Sequence, residues 1–245
     1  QVTVSYEVAN GPAIVTVDVY TNCTASSFGA SIGGGNLWTL GGEVNRIIKA
    51  GDRKIVWRPD NTWPDGGDVS AKLTATVKAW ALTCPPDYMV VDSRVAEPKM
   101  CVSFYPSVDM LPYGGLTNRA VYTRFAYVMR KIPAAKVKWR MGATGSMRTA
   151  IGHGTNNAYK EREVPHYVTL TKDYYMGIYP ITQGQYENIR TDKVKGNNPS
   201  QYKGNLYMTS RHMQPQDMVA FTDFRGDCSA GAAYDWPTKG HAGGP

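Results

Sequence analysis

No stretch of this chain approaches the roughly 20 consecutive apolar residues that cross a bilayer as a helix. Its longest apolar runs are only a few residues, such as Met89-Val90-Val91. A membrane-spanning helix is excluded on that ground. Charge is also sparse: Asp, Glu, Lys and Arg make up 19% of the 245 residues, below the roughly 25% of an average globular chain. That composition speaks against a coiled coil and against a disordered polyelectrolyte. Cysteine is limited to Cys23, Cys84, Cys101 and Cys228, with no Cys-x-x-Cys spacing, so a thiolate zinc site is not expected. The four histidines, His153, His166, His212 and His241, are isolated from one another and form no His-x-His or His-x-x-x-His pair. A histidine metal triad therefore has no support, and His166 is read as a structural residue of its strand.

What the chain does have is turn residues and aromatics: 25 Gly, 15 Pro, 16 Tyr and 6 Trp. The first half alternates. Val2, Val4, Tyr6 and Val8 are separated by Thr3, Ser5 and Glu7; Val15, Val17 and Val19 are separated by Thr16 and Asp18. The longest run predicts a strand over 69–80, with Val69, Ala71, Leu73, Ala75, Val77 and Ala79 on its buried side. A period of two means a sheet with one face in the core. Turn signals fall between these runs, at Asn10-Gly11-Pro12, Gly33-Gly34-Gly35, Gly41-Gly42 and Ala50-Gly51-Asp52. Gly33-Gly34-Gly35 is read as a hairpin turn rather than a phosphate cradle. Short strands and turns without helical periodicity predict an immunoglobulin-like antiparallel β-sandwich over residues 1–95.

Residues 96–245 read as a second, mixed domain. Strands are expected over 122–132, 137–141, 165–170 and 174–178. The period then changes: Thr182 and Gln185 have the spacing of a capping box, which predicts a short helix over 183–191. A second helix is expected near Thr222. The basic excess also belongs here. Residues 1–95 hold 8 Lys+Arg against 9 Asp+Glu, a net −1; residues 96–245 hold the remaining 19 and 11, a net +8. Arg130, Lys131, Lys136, Lys138 and Arg140 form a candidate anion-facing patch, although Lys136 and Lys138 alternate with Val137 and Trp139 as a solvated strand face does. No nucleic-acid motif accompanies the charge, so a nucleic-acid partner is not expected. Tyr174, Tyr175, Tyr179 and Tyr186 offer either a glycan-stacking face or core packing, and packing is the expectation. Four cysteines allow three pairings; Cys84 with Cys101 is the expected disulfide, and free buried thiols are the alternative. The start at Gln1 reads as a mature secreted or extracellular chain, periplasmic or cell-surface, with its signal peptide removed.

Several ordered motifs carry a family resemblance. Met129-Arg130-Lys131-Ile132-Pro133-Ala134, followed by Arg140-Met141-Gly142, resembles the opening segment of the formylglycine-generating enzyme (sulfatase-modifying factor) family. Glu163-Val164-Pro165-His166-Tyr167-Val168-Thr169-Leu170 is similar to its next strand, and Tyr175 through Tyr186 to the segment after that. The region from Pro215 to Gly226 is similar to a later one. Ala135 stands where the family usually has Gly, and Trp139-Arg140-Met141-Gly142 replaces its Phe-x-Met-Gly. The fold class that follows is mainly β with some α: an N-terminal antiparallel β-sandwich, then a partial mixed α+β domain of that C-type-lectin-related family.

The resemblance implies limits as well. The family's enzymes oxidise a cysteine of a target sulfatase, using two closely placed cysteines in chemistry that resembles copper–thiolate chemistry. None of this chain's four cysteines falls in that motif, so no catalytic residue, cofactor or metal is carried over. Three functions are then expected. The first is a non-catalytic extracytoplasmic assembly protein, whose incomplete second domain is completed by a neighbouring copy through exposed strand edges, giving an oligomer or filament. The others are a fragment of a formylglycine-generating oxidase, and a glycan- or protein-binding surface module.

Overall fold

The computed structural model describes residues 1–37, 40–63, 73–95, 101–117, 119–150, 164–189 and 213–217. The chain forms two compact units, one comprising residues 1–130 with 177–245 and the other Lys131–Met176. The fold is mainly β, with several antiparallel sheets.

Along the first unit run β1 (Val2–Val8), β2 (Ala13–Tyr20), the helical turn α1 (Gly34–Leu37), β3 (Gly41–Gly42), β4 (Arg46–Ile48), β5 (Gly51–Trp57), the turn α2 (Pro59–Thr62) and β6 (Thr74–Trp80). There follow β7 (Tyr88–Asp92), β8 (Val102–Tyr105), two 3-10 turns (Val108–Met110 and Gly115–Thr117), α3 (Arg119–Tyr122) and β9 (Ala126–Ile132). Three sheets result: β1-β5-β3, β4-β2-β6, and β7 flanked by β8 and β9.

The alternation in sequence sets which faces meet. In β1 and β5, Val2 lies opposite Trp57 and Val4 opposite Ile55, and Ile55 is fully buried. From β2, Val15, Val17 and Val19 are buried on the other side of the same interior. Thr3, Ser5 and Glu7 stay exposed, as period-two patterning requires. β2 nevertheless departs from simple alternation: Ile14 and Thr16, on its outer face, are also buried. Trp80 covers them, its indole N–H donating to Thr16 Oγ1 at 2.9 Å, while the Lys78 ammonium lies 3.7 Å over the Trp80 ring.

The strand expected over 69–80 is observed as Thr74–Trp80, residues 64–72 lying outside the described ones. Its faces divide as the alternation predicts: Ala75, Val77 and Ala79 lie opposite the buried Val19, Val17 and Val15, and Trp80 lies opposite Ile14. Val77 packs against the cluster of Val8, Val15 and Ile48, but Ala75 and Ala79 are exposed.

One cluster ties the three sheets together: Val19, Leu37, Trp57, Val90, Tyr105, Met110, Leu111, Ala126 and Val128. Its members come from both sides of residue 95, where the sequence divides in charge and pattern. Fully burying one such side chain stabilises by roughly 1.5–3 kcal/mol. Gly33-Gly34-Gly35 is not a hairpin turn. It opens α1 against the Met110 backbone, and a Cβ on Gly34 would sit 2.0 Å from the Met110 carbonyl oxygen.

The second unit carries β10 (Lys138–Met141), the helix α4 (Gly145–Ala150) and β11 (His166–Thr169), and the chain leaves it along β12 (Tyr174–Gly177). β10 and β11 form a two-stranded antiparallel ribbon. The turn before β10 is closed by two bonds: the Lys136 amide donates to the Leu170 carbonyl at 2.7 Å, and the Ala135 amide to Asp173 Oδ1 at 3.0 Å. None of the described residues of Lys131–Met176 is buried. The chain returns to the first unit and forms the helix α5 (Gln183–Ile189).

Candidate binding surfaces

The ribbon in the second unit has two distinct faces. Lys138 lies opposite Thr169 and Arg140 opposite Tyr167; Trp139 lies opposite Val168 and Met141 opposite His166. Alternation puts Lys138, Arg140 and Tyr167 on one face and Trp139, Met141 and Val168 on the other. The Lys138 ammonium stands 4.6 Å over the Tyr167 ring, and that ring is 67% exposed. Among the described residues, neither Lys136, Lys138 nor Arg140 has a carboxylate partner. Of the five basic residues marked in the sequence, these three belong to the ribbon and its leading turn; Arg130 is exposed on β9 of the first unit, and Lys131 begins the second.

The opposite face holds Trp139, Met141 and Val168 beside His166, and its Trp139 and Met141 are exposed. Across the second unit as a whole, Val137, Trp139, Met141, Met147, Val164, Tyr167, Tyr174 and Met176 are exposed, half of the large apolar side chains found exposed among the described residues. A two-stranded ribbon is marginal in water without a surface to pack on. The tyrosines divide: Tyr186 is buried as core packing required, while Tyr174 and Tyr179 are exposed at 42% and 64%.

In the first unit, a cavity of about 350 Å³ opens between α3, β9 and the start of α5. Tyr122, Tyr127, Tyr179, Pro180, Met213 and Pro215 supply much of its wall, with Thr182 and Gln185 at its polar end. The capping box builds that end. The Thr182 amide donates to Gln185 Oε1 at 3.0 Å, and the Gln185 amide to Thr182 Oγ1 at 3.1 Å. Gln185 Nε2 then donates to the carbonyls of Tyr122 and Ala126 at 2.7 and 2.9 Å. Thr182 Oγ1 donates to the Thr123 carbonyl. The Tyr122 hydroxyl donates to the Pro112 carbonyl at 2.7 Å. Burial raises the Tyr122 phenol, with nearby Tyr105, Tyr113 and Asp92 adding to it, and burial also raises that of Tyr127. The Thr182–Gln185 spacing was legible in sequence. Nothing local marked Tyr122 and Tyr127 as its neighbours, because they approach it only through tertiary packing.

A second cavity, of about 210 Å³, includes Asp92, Cys101, Ser103 and Tyr113 in its wall. Asp92 is 5% exposed. It accepts from Arg94 Nε at 2.9 Å, from Arg94 Nη2 at 2.6 Å and from the Tyr113 hydroxyl at 2.7 Å. Burial alone would raise this carboxyl, but the bonds from Arg94 and Tyr113 outweigh it and hold it below its ordinary 3.8. Burial and the Asp92 bond push Tyr113 up to about 12. The cluster is internally satisfied, as a structural ion pair is.

No disulfide joins Cys84 to Cys101, which corrects the expected pairing. Cys84 is an exposed thiol in the turn after β6, where its amide donates to the Ala81 carbonyl; Cys101 is held at the entry to β8 by the Asp92 amide donating to its carbonyl. Cys23 is buried, and Cys228 lies outside the described residues. His166 is the one described histidine, its Nδ1 2.8 Å from the Val164 carbonyl. His153, His212 and His241 lie outside, as does the helix expected near Thr222.

Gly29-Ala30-Ser31-Ile32-Gly33 has the spelling of a nucleophile elbow, but Ser31 pairs with Tyr20 in a β-bridge and its Oγ donates to Asp18 Oδ1 at 2.6 Å. Among the described residues, no three His, Cys, Asp or Glu side chains converge as metal ligands, and no helix is long and apolar enough to cross a membrane. Comparison with protein-family models, with curated proteins and with solved structures yields no match to this chain.

Proposed function

We propose that this chain is a non-catalytic, extracytoplasmic assembly protein in which the second unit is covered by a neighbouring copy. One observation carries the reading: none of the described residues of Lys131–Met176 is buried, yet this unit holds half of the exposed large apolar side chains. Among the described residues, both strands of the ribbon are also edges of their two-stranded sheet. Two copies placing their Trp139–Met141 faces together make a self-complementary, two-fold contact. The Lys138–Arg140 face then points away, which avoids bringing like charges together. The ribbon strands and α5 fall where the motifs similar to the formylglycine-generating enzyme family lie, which supports reading this region as that family's scaffold used without its oxidase chemistry.

The test is sedimentation velocity of the chain and of Trp139→Lys over a range of concentrations. The native chain is expected to associate and the variant to remain monomeric with an unchanged circular dichroism spectrum. A native chain that stays monomeric at the highest attainable concentration sinks the reading.

The basic, ring-bearing face of Lys138, Arg140 and Tyr167 supports a second reading, a module that binds an acidic glycan. Retention on a sulfated polysaccharide column, lost in Lys138→Glu with Arg140→Glu, is its measurement; elution of both proteins in the void counts against it.

A further inference from the structure

We infer that the cavity between α3, β9 and the start of α5 is a binding site for a small, uncharged, aromatic molecule. This rests on the first unit alone and is independent of the assembly proposed for the second. At about 350 Å³ the space is within the range of small-molecule sites. Its chemistry selects the occupant. Among the described residues, no side chain in its wall carries a charge, so a charged ligand would lose its hydration with none of these side chains to replace it. The rings of Tyr122, Tyr127 and Tyr179 and the flat faces of Pro180 and Pro215 suit an aromatic ring, which stacks or packs edge-on against them.

The hydrogen-bonding capacity left over is small. The Gln185 amide and the Thr182 and Tyr122 hydroxyls are committed to backbone groups. Among the described residues, the hydroxyls of Tyr127 and Tyr179 make no such bond. A sugar ring, with several hydroxyls to satisfy, would leave most of them unpaired on entering this space. An aromatic molecule with one donor or acceptor fits the two tyrosine hydroxyls. Tyr127 is itself accommodated by Gly177: a Cβ there would lie 1.9 Å from its hydroxyl oxygen. Tyr179, at 64% exposure, stands at the mouth.

The experiment uses indole as probe, with benzoate and glucose as charged and polyhydroxylated controls, read by saturation-transfer NMR and titration calorimetry on the full chain. Indole is expected to receive saturation and to bind measurably, the controls not. Tyr179→Ala, at an exposed position, is expected to weaken indole by about three- to tenfold. Ala126→Val, which narrows the cavity, is expected to weaken it further. Should Ala126→Val fail to fold, Tyr179→Ala decides. Absence of indole binding overturns the site. So does binding that is unchanged in Tyr179→Ala, and so does benzoate or glucose binding as tightly as indole.

Discussion

Asp92 shows how much a single side chain can hold in place. It ends β7, is 5% exposed, and accepts from two positions on Arg94 and from the Tyr113 hydroxyl. Arg94 in turn lies 4.7 Å over the Tyr113 ring and 5.4 Å over Phe125. The ionised carboxylate is therefore stabilised in the folded state, and its folded pKa lies below the unfolded one. Its contribution is present above the unfolded value and is lost as pH falls through the folded one. The melting temperature of the native chain is expected to drop steeply below about pH 4. Asp92→Asn is expected to start lower at neutral pH and to show a shallower acid limb; parallel limbs would remove Asp92 from the account. Gly34 is the other residue whose identity is dictated by contact. Gly34→Ala forces a methyl into the Met110 carbonyl and is expected to destabilise by about 1–3 kcal/mol, as overpacking does, measurable by urea titration. Neither constraint is visible in sequence: Gly34 looks like turn punctuation, and Asp92 like one acidic residue among many.

At the scale of elements, the best-read piece was α5. The Thr182–Gln185 spacing has one physical meaning, reciprocal capping of a helix start, and both bonds form. Thr182→Ala is expected to cost about 1 kcal/mol and, because Thr182 Oγ1 also holds the Thr123 carbonyl, to raise hydrogen exchange in α3 as well as in α5. Exchange confined to α5 would limit its role to capping. The strands of β1 and β2 were legible for a similar reason: large apolar side chains alternate with polar ones, and period two leaves one face for the core. β6 keeps the same division, with Ala75, Val77 and Ala79 opposite the buried Val19, Val17 and Val15, although the two alanines stay exposed and Trp80 on the other face covers Thr16. Trp80→Ala is expected to destabilise by roughly 3 kcal/mol or more and to expose Thr16; a change below about 0.5 kcal/mol would contradict that packing.

For the whole molecule, charge and apolar surface pull in opposite directions. The chain carries a net +7, so copies repel, while in the proposed assembly the Trp139–Met141 face would draw them together. Added salt screens the repulsion and leaves apolar burial intact. Self-association is thus expected to strengthen between low and physiological salt, whereas binding of an acidic glycan to Lys138 and Arg140 is expected to weaken over the same interval. Sedimentation and column retention measured across that range separate the two readings.

By itself, the amino-acid order determined the β-rich character, the alternating strands, the cap of α5 and the absence of a membrane helix, because each depends on spacing within a few residues. The tertiary structure decided the rest. It joined residues from both sides of position 95 into one core, left Cys84 and Cys101 unjoined by a disulfide, left the β10–β11 ribbon without a buried residue and enclosed a cavity between α3, β9 and α5. These outcomes depend on which distant surfaces meet, and chain-local periodicity carries no information about that.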